Sequence, residues 1–392
     1  MSNAGVPRGR YRPARLSALA AGSFLVAMAA LNGCGADPGV DDSQGSLDSR
    51  STESVQANAV PKLPASKERP SRPVTLAFAG DVHFENQLAD RLSDADATLG
   101  PLSQQLRNAD VAMVNLESAL TARGAPTSKE LEEPSQRYWF RSPSAALELM
   151  ARSGVDAVSI ANNHGADYGA AGLRDTLRTA TESPVAVIGV GDGRDQALEP
   201  HRVSVRGTDV AVLAADASPR ESADAIWNAG SGLGIAAARN PHALLQAVRA
   251  ADRTDDVVVV YLHWGKELAS CPNPAQRELA AALASAGADV VVGTHAHVLQ
   301  GAGMLGQTYV SYGLGGFHWY HGARPETGVL HVRVTSDGEV LDDELTPALI
   351  PDGGGPALPL DGTARAGAVQ DWRDLRACSG LAPGPGETKN PA

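Results

Sequence analysis

The chain has 392 residues, of which 43% are hydrophobic and 20% charged, with a formal net charge of -12. That is enough apolar material for one large α/β unit with tails, although an aromatic share of 4% leaves Ala, Val and Leu to build most of the core. The acidic balance excludes broad electrostatic attraction to nucleic acid or to an anionic membrane surface, so an anionic substrate would need a local positive site.

In chain order, Arg8, Arg10, Arg12 and Arg15 form a basic leader, and Leu16 to Leu31 is an apolar run too short and too Ala-rich for a membrane span. It reads as an export signal. Its end, Leu31-Asn32-Gly33-Cys34, resembles the bacterial lipoprotein processing box, which implies cleavage before a lipid-modified Cys34. Residues 1–34 are therefore expected to be a signal peptide, and the mature protein an extracytoplasmic lipoprotein of the cell envelope, anchored to a membrane; an ordinary signal peptide and an uncleaved anchor are the alternatives. Residues 35–72, rich in Ser, Asp, Gly and Pro without apolar periodicity, are expected to be a disordered linker. In an oxidising compartment Cys271 and Cys378 could pair; two separate thiols fit the sequence equally well.

The folded domain is expected over residues 73–350. Short apolar runs read as buried strands at Val74–Ala79, Val111–Asn115, Ala157–Ile160, Val185–Ile188, Val210–Ala214, Val257–Leu262 and Asp289–Val292. Helical spacing appears between several of them, at Pro143–Arg152, Ala170–Thr181, Pro241–Arg249 and Pro274–Ala286. This alternation predicts an α/β sandwich. Turns at Gly207 and Gly338 predict hairpins, and hence antiparallel strands flanking a parallel set. Residues 351–392, full of Gly and Pro, are expected to form a disordered tail.

Polar clusters close the predicted strands, where loops of open α/β sheets present ligand-binding side chains. The first is Gly80-Asp81-Val82-His83, whose alternation places Asp81 and His83 on one side, able to share a cation. The second, Asn115-Leu116-Glu117, offers an amide and a carboxylate. The third, Ala161-Asn162-Asn163-His164, adds two amides and an imidazole suited to general acid or base work. Two later strands end in His263-Trp264-Gly265 and in Gly293-Thr294-His295-Ala296-His297, and neutral imidazoles suit Zn, Mn or Fe. Taken singly, each motif also fits a capped turn or a hydrogen-bonded core residue. Together they gather six of the ten histidines, counting His318, in or beside strand-end motifs, which favours a metal site.

The ordered series, closing with Tyr312-Gly313-Leu314-Gly315-Gly316-Phe317, resembles the CapA-like family of bacterial capsule-synthesis proteins over roughly residues 74–320. That family is associated with poly-γ-glutamate and is similar in fold to calcineurin-like metallophosphoesterases. The resemblance implies a four-layer α/β/β/α sandwich with mixed sheets and two divalent metal ions, Mn, Zn or Fe. By the same resemblance Asp81, His83 and His297 would hold one ion and Asn163, His263 and His295 the other. Glu117 would stand at the bridging position, and His164 would serve as the general acid. Asn115, Asn162, Trp264, Arg137 and Arg141 would bind substrate, with Trp139, Lys266, Trp319 and Tyr320 as further lining. Two departures mark this chain: Glu117 replaces the superfamily's Asp, and Gly316 stands where the family commonly has Asn. The implied function is a metal-dependent hydrolase or transferase acting on an anionic surface polymer such as poly-γ-glutamate, alongside capsule-synthesis membrane proteins. A non-catalytic polymer-binding or tethering protein and an envelope phosphoesterase are the competing readings.

Overall fold

The computed structural model describes residues 72–129, 134–218, 227–320 and 322–387. The expected export leader, Cys34 and the expected linker lie outside the described residues, apart from Arg72.

Apolar runs become strands that sort into two large sheets. The first sheet begins with β1 (Val74–Val82), β2 (Val111–Leu116), β3 (Ala157–Ser159) and β4 (Ala186–Ile188), parallel to one another. The chain then builds a second, six-stranded sheet from β5 (His201–Val205), β6 (Thr208–Asp216), β7 (Val257–His263), β8 (Val290–Thr294), β9 (Ala302–Leu305) and β10 (Thr308–Ser311). It returns to the first sheet with β11 (Gly316–Trp319), β12 (Glu326–Val334), β13 (Val340–Leu349), β14 (Gly355–Pro356) and β15 (Leu358–Pro359). The first sheet runs β15-β13-β12-β1-β2-β3-β4, with β11 beside β1 and β14 beside β11; the second runs β9-β10-β8-β7-β6-β5. Both sheets are mixed: the hairpins β5–β6 and β12–β13 are antiparallel, as the turn residues predict.

Side-chain alternation sets the layers. Leu76, Phe78, Val111 and Met113 join one apolar cluster with the second sheet, whereas their neighbours Ala77, Ala79, Ala112 and Val114 join another with Leu106, Leu147 and Met150. The latter three belong to the helices α1 (Ser103–Arg107) and α2 (Ala145–Arg152). A further helix, α3 (Gly169–Glu182), buries Leu173 against Val190 and Ile235. The other face of the second sheet is covered by α4 (His242–Ala251) and α5 (Pro274–Ala286), through Leu244, Val248, Leu279 and Leu283. The order is helix, sheet, sheet, helix, the expected four-layer sandwich. Strand β7, Val-Val-Val-Val-Tyr-Leu-His, is buried along its whole length, as a central parallel strand covered on both faces must be.

The expected disordered tail is a correction. Residues beyond Ile350 add β14 and β15 to the first sheet and form α6 (Gly362–Asp374), which buries Trp372. Cys378 is disulfide-bonded to Cys271, and Arg376 grips both carboxylate oxygens of Glu387 at 2.7 Å. Composition misleads here because docking and a covalent tie, rather than an apolar stripe, hold the segment.

Candidate metal centre

The carboxyl ends of strands from both sheets converge on one polar interior. At the end of β1, Gly80 lets another backbone come close: a Cβ there would stand 1.9 Å from Gly315 O. Asp81 N–H donates to that same carbonyl, and the β1–β2 register shifts between Phe78 and Asp81, re-aiming the carboxylate inward. Asn115 Nδ2 donates to Asp81 Oδ1 at 2.8 Å, and the His295 backbone N–H reaches Asp81 Oδ2 at 3.2 Å. His297 Nδ1 lies 3.0 Å from the same oxygen.

Glu117, just past β2, is the hub. Its Oε1 stands 3.8, 3.7 and 3.9 Å from the Nε2 atoms of His164, His263 and His297, too far for direct hydrogen bonds and close enough to share a cation. His263 Nε2, at the end of β7, has Asn163 Oδ1 at 2.6 Å and His295 Nδ1 at 3.0 Å. His263 Nε2 cannot both donate to the Asn163 oxygen and accept from His295 Nδ1, whereas a divalent ion suits an amide oxygen, a carboxylate and two imidazoles. Three sets of potential ligands, each within 4.8 Å, follow among the described residues: Asp81, Glu117 and His297; Glu117, His263 and His295; and Glu267, His295 and His297. The donor set fits a divalent metal centre. His295 at φ 83° and His297 at φ 53° hold the left-handed backbone that non-glycine residues avoid, a cost on the order of 1–3 kcal/mol each that a rigid surrounding must meet.

His164 is held from its Nδ1 side. Its Nδ1 lies 2.6 Å from Asp167 Oδ2, which also accepts the Phe140 N–H at 2.7 Å, while Lys129 Nζ pairs with Asp167 Oδ1 at 2.8 Å. This leaves Nε2 facing Glu117. Phe140 stacks between two imidazoles, 4.2 Å from the His164 ring and 4.7 Å from that of His83. His83 itself stands outside the three ligand sets: its ring is boxed by Phe140, Trp319 and Tyr320, and its Nδ1 accepts the Glu85 N–H at 3.2 Å.

The expected substrate-binding residues divide. Asn115 and Asn162 are buried and orient neighbours: Asn162 Nδ2 donates to Asn115 Oδ1 and Leu116 O, and its Oδ1 accepts the His164 N–H. Trp264 is a correction, because its indole lies in the core, stacked on Tyr312 and donating to the Tyr312 carbonyl at 2.9 Å. It occupies the space that Gly293 leaves by lacking a Cβ. Arg137 is half-buried, and Arg141 lies over the Tyr168 ring at 3.5 Å with its backbone N–H on Glu85 Oε1. Burial pushes the Glu85 carboxyl up, and Arg141 partly offsets this.

Lys129, Asp167, Phe140 and Glu267 are functional candidates that motif reading misses. Only Asp167 leaves a signal, three positions after His164. The Gly316 departure has a steric counterpart: a Cβ there would press on the Trp319 side chain at 3.1 and 3.2 Å. Trp319 in turn packs against His297 with ring centroids 4.3 Å apart, so glycine makes room for an aromatic wall of the site.

Residues 75–319 match the model of the bacterial capsule synthesis protein family PGA_cap. The chain belongs to this family. Among similar proteins are the capsule biosynthesis protein CapA of Bacillus anthracis, 28% identical over 257 residues, and the PGA biosynthesis protein CapA of Bacillus subtilis (strain 168), 26% identical over 256. The matches cover 64% and 62% of this chain, and it spans about three fifths of the relatives' length, 61% and 63% respectively. A solved phosphatase of Mycoplasma pneumoniae is similar with 12% identity and a TM-score of 0.46, over 72% of this chain and 95% of that one.

Proposed function

We propose that this family member is a divalent-metal-dependent hydrolase or transferase acting on an anionic surface polymer, with poly-γ-glutamate the class its relatives point to. The observation that carries the reading is Glu117 Oε1 facing the Nε2 atoms of His164, His263 and His297. Asp81, Glu117 and His297 would hold one ion, and Glu117, Asn163, His263 and His295 a second. Divalent cations held there supply polarisation of an ester or amide and activation of water near neutral pH. The chain's own residues do the rest. Asp167 fixes the Nδ1 side of His164, so that Nε2 can pass a proton to the leaving group. Asn115 and Asn162 keep Asp81 and His164 aimed, and Arg137 and Arg141 would suit carboxylates of a polymer that the net charge of -12 would otherwise repel. Lipidation at Cys34 would hold the enzyme at the envelope beside capsule-synthesis membrane proteins; loss of membrane association in Cys34→Ser checks that part.

The test is metal content after gentle purification, followed by cleavage assays on poly-γ-glutamate, peptide and phosphoester panels with added Mn or Zn. His164→Ala is expected to abolish turnover with metal content unchanged. Protein that is metal-free and gains no thermal stability from either ion would sink the reading. Gly316, where the family commonly has Asn, favours a second reading, non-catalytic polymer binding. Binding of poly-γ-glutamate with no cleavage of any panel, unaffected by His164→Ala, would select it.

A further inference from the structure

One carboxylate approaches the centre from the solvent side. Glu267 offers a ligand atom within 4.8 Å of those of His295 and His297, and it is exposed, whereas Asp81 and Glu117 are buried. Its position is built rather than incidental. Past β7 the chain turns at Gly265, with φ 99°, against the Gln276 side chain. Leu268 follows at φ 61° and is 58% exposed, so packing does not explain its left-handed backbone. Its N–H donates at 2.8 Å to the carbonyl of Ala296, the residue between the two histidines, and this bond clamps Glu267 against the His295–His297 loop. Ala269 N–H closes the turn on Lys266 O, and Cys271, bonded to Cys378, ties down the loop's far end.

We propose that Glu267 is a solvent-side ligand of the metal centre, which an anionic substrate must displace. The proposal rests on the metal-dependent reading above. Glu117 belongs to both inner sets, and His295 and His297 to one each, so Glu267 shares a histidine with each of them. A polymer that presents carboxylates replaces one carboxylate by another, which keeps the charge at the centre balanced while the site opens. A phosphoryl group could make the same exchange, and the two sources are separable by experiment.

The test is calorimetric titration of Mn into metal-stripped full chain, wild type and Glu267→Gln, then titration of the Mn-loaded proteins with glutarate and with phosphate. Glu267→Gln is expected to weaken Mn binding about tenfold or more. The loaded variant is expected to bind the anion several-fold tighter, since no internal carboxylate competes. A purely structural role for Glu267 would not move the two affinities in opposite directions. Superimposable Mn titrations overturn the ligand role, and an anion affinity that does not rise overturns the displacement. Wild type that takes up neither Mn nor Zn fails the metal reading itself, and this inference with it. Preference for glutarate identifies a carboxylate polymer as the source, and preference for phosphate a phosphoester.

Discussion

Lys129 is a buried cation behind His164. Its ammonium is almost fully buried between Asp167 Oδ1 and the Tyr138 carbonyl, 2.8 and 2.6 Å away. Removing one member of such a pair strands the other's charge, so Lys129→Met is expected to destabilise the fold by about 3–5 kcal/mol, measured by urea unfolding. Replacing both, Lys129→Met with Asp167→Asn, is expected to recover part of that loss, because the amide oxygen can still accept the Phe140 N–H. A double-mutant cycle reads the coupling, and additive losses would show that the pair does not act as a unit. The strand-end residues Asp81, Glu117, His263, His295 and His297 are legible because polar groups after buried runs need partners. Lys129 is not, since a lysine in a charged loop looks solvated until the fold supplies Asp167 from another segment. Trp264 misleads for the converse reason: next to a candidate ligand it suggests a groove, yet strand alternation turns it into the core.

At the level of elements, fully apolar strands are the most legible part of the sequence, and their caps decide how firmly the site's loops are held. Asn273 and Gln276 form a capping box at the start of α5, and Gln276 Nε2 also donates to Gln300 Oε1 in the segment that follows His297. Asn273→Ala is expected to cost about 1 kcal/mol in chemical denaturation. Asp289, leading into β8, pins that strand to β7 through Val258 N–H at 2.7 Å. Burial first, then Asp252 and Asp337, push its carboxyl up to about 6, against the hydrogen bond from Val258. The folded state therefore binds this proton more tightly than the unfolded chain. The stabilisation is complete below about pH 4 and is lost as pH rises through about 6, amounting to at most about 3 kcal/mol. Asp289→Asn is expected to be more stable than wild type at pH 8 and equal to it near pH 4; equal gains at both pH values in denaturant titrations would refute the assignment. Helix α6 escapes sequence reading because its Gly- and Ala-rich stretch lacks an apolar stripe, with Trp372 its one buried residue.

For the whole molecule, the Cys271–Cys378 bond closes a separation of 107 residues between the loop bearing Glu267 and the segment after α6. Its loss in Cys271→Ser with Cys378→Ser is expected to cost about 2–4 kcal/mol and to open the C-terminal segment to proteases, read by thermal melts and limited digestion. An unchanged melt and digestion pattern would mean that packing alone holds the strap. The sandwich itself follows from the spacing of apolar runs, but the meeting of the two sheets at one centre does not, because no local pattern records a partner two hundred positions away.

That separation has a temporal consequence. Strand β1 lies inside the first sheet, flanked by β2, β11 and β12, and Asp81 meets the His295 backbone 214 positions later in the chain. A polypeptide emerging from its N-terminus, whether from a ribosome or a translocation pore, exposes Asp81 and Glu117 long before either late histidine is free to join them. Non-local pairing of this kind closes slowly. The centre is thus completed only near the end of emergence, and under the metal-dependent reading the ion would be chosen by the compartment in which the last strands fold.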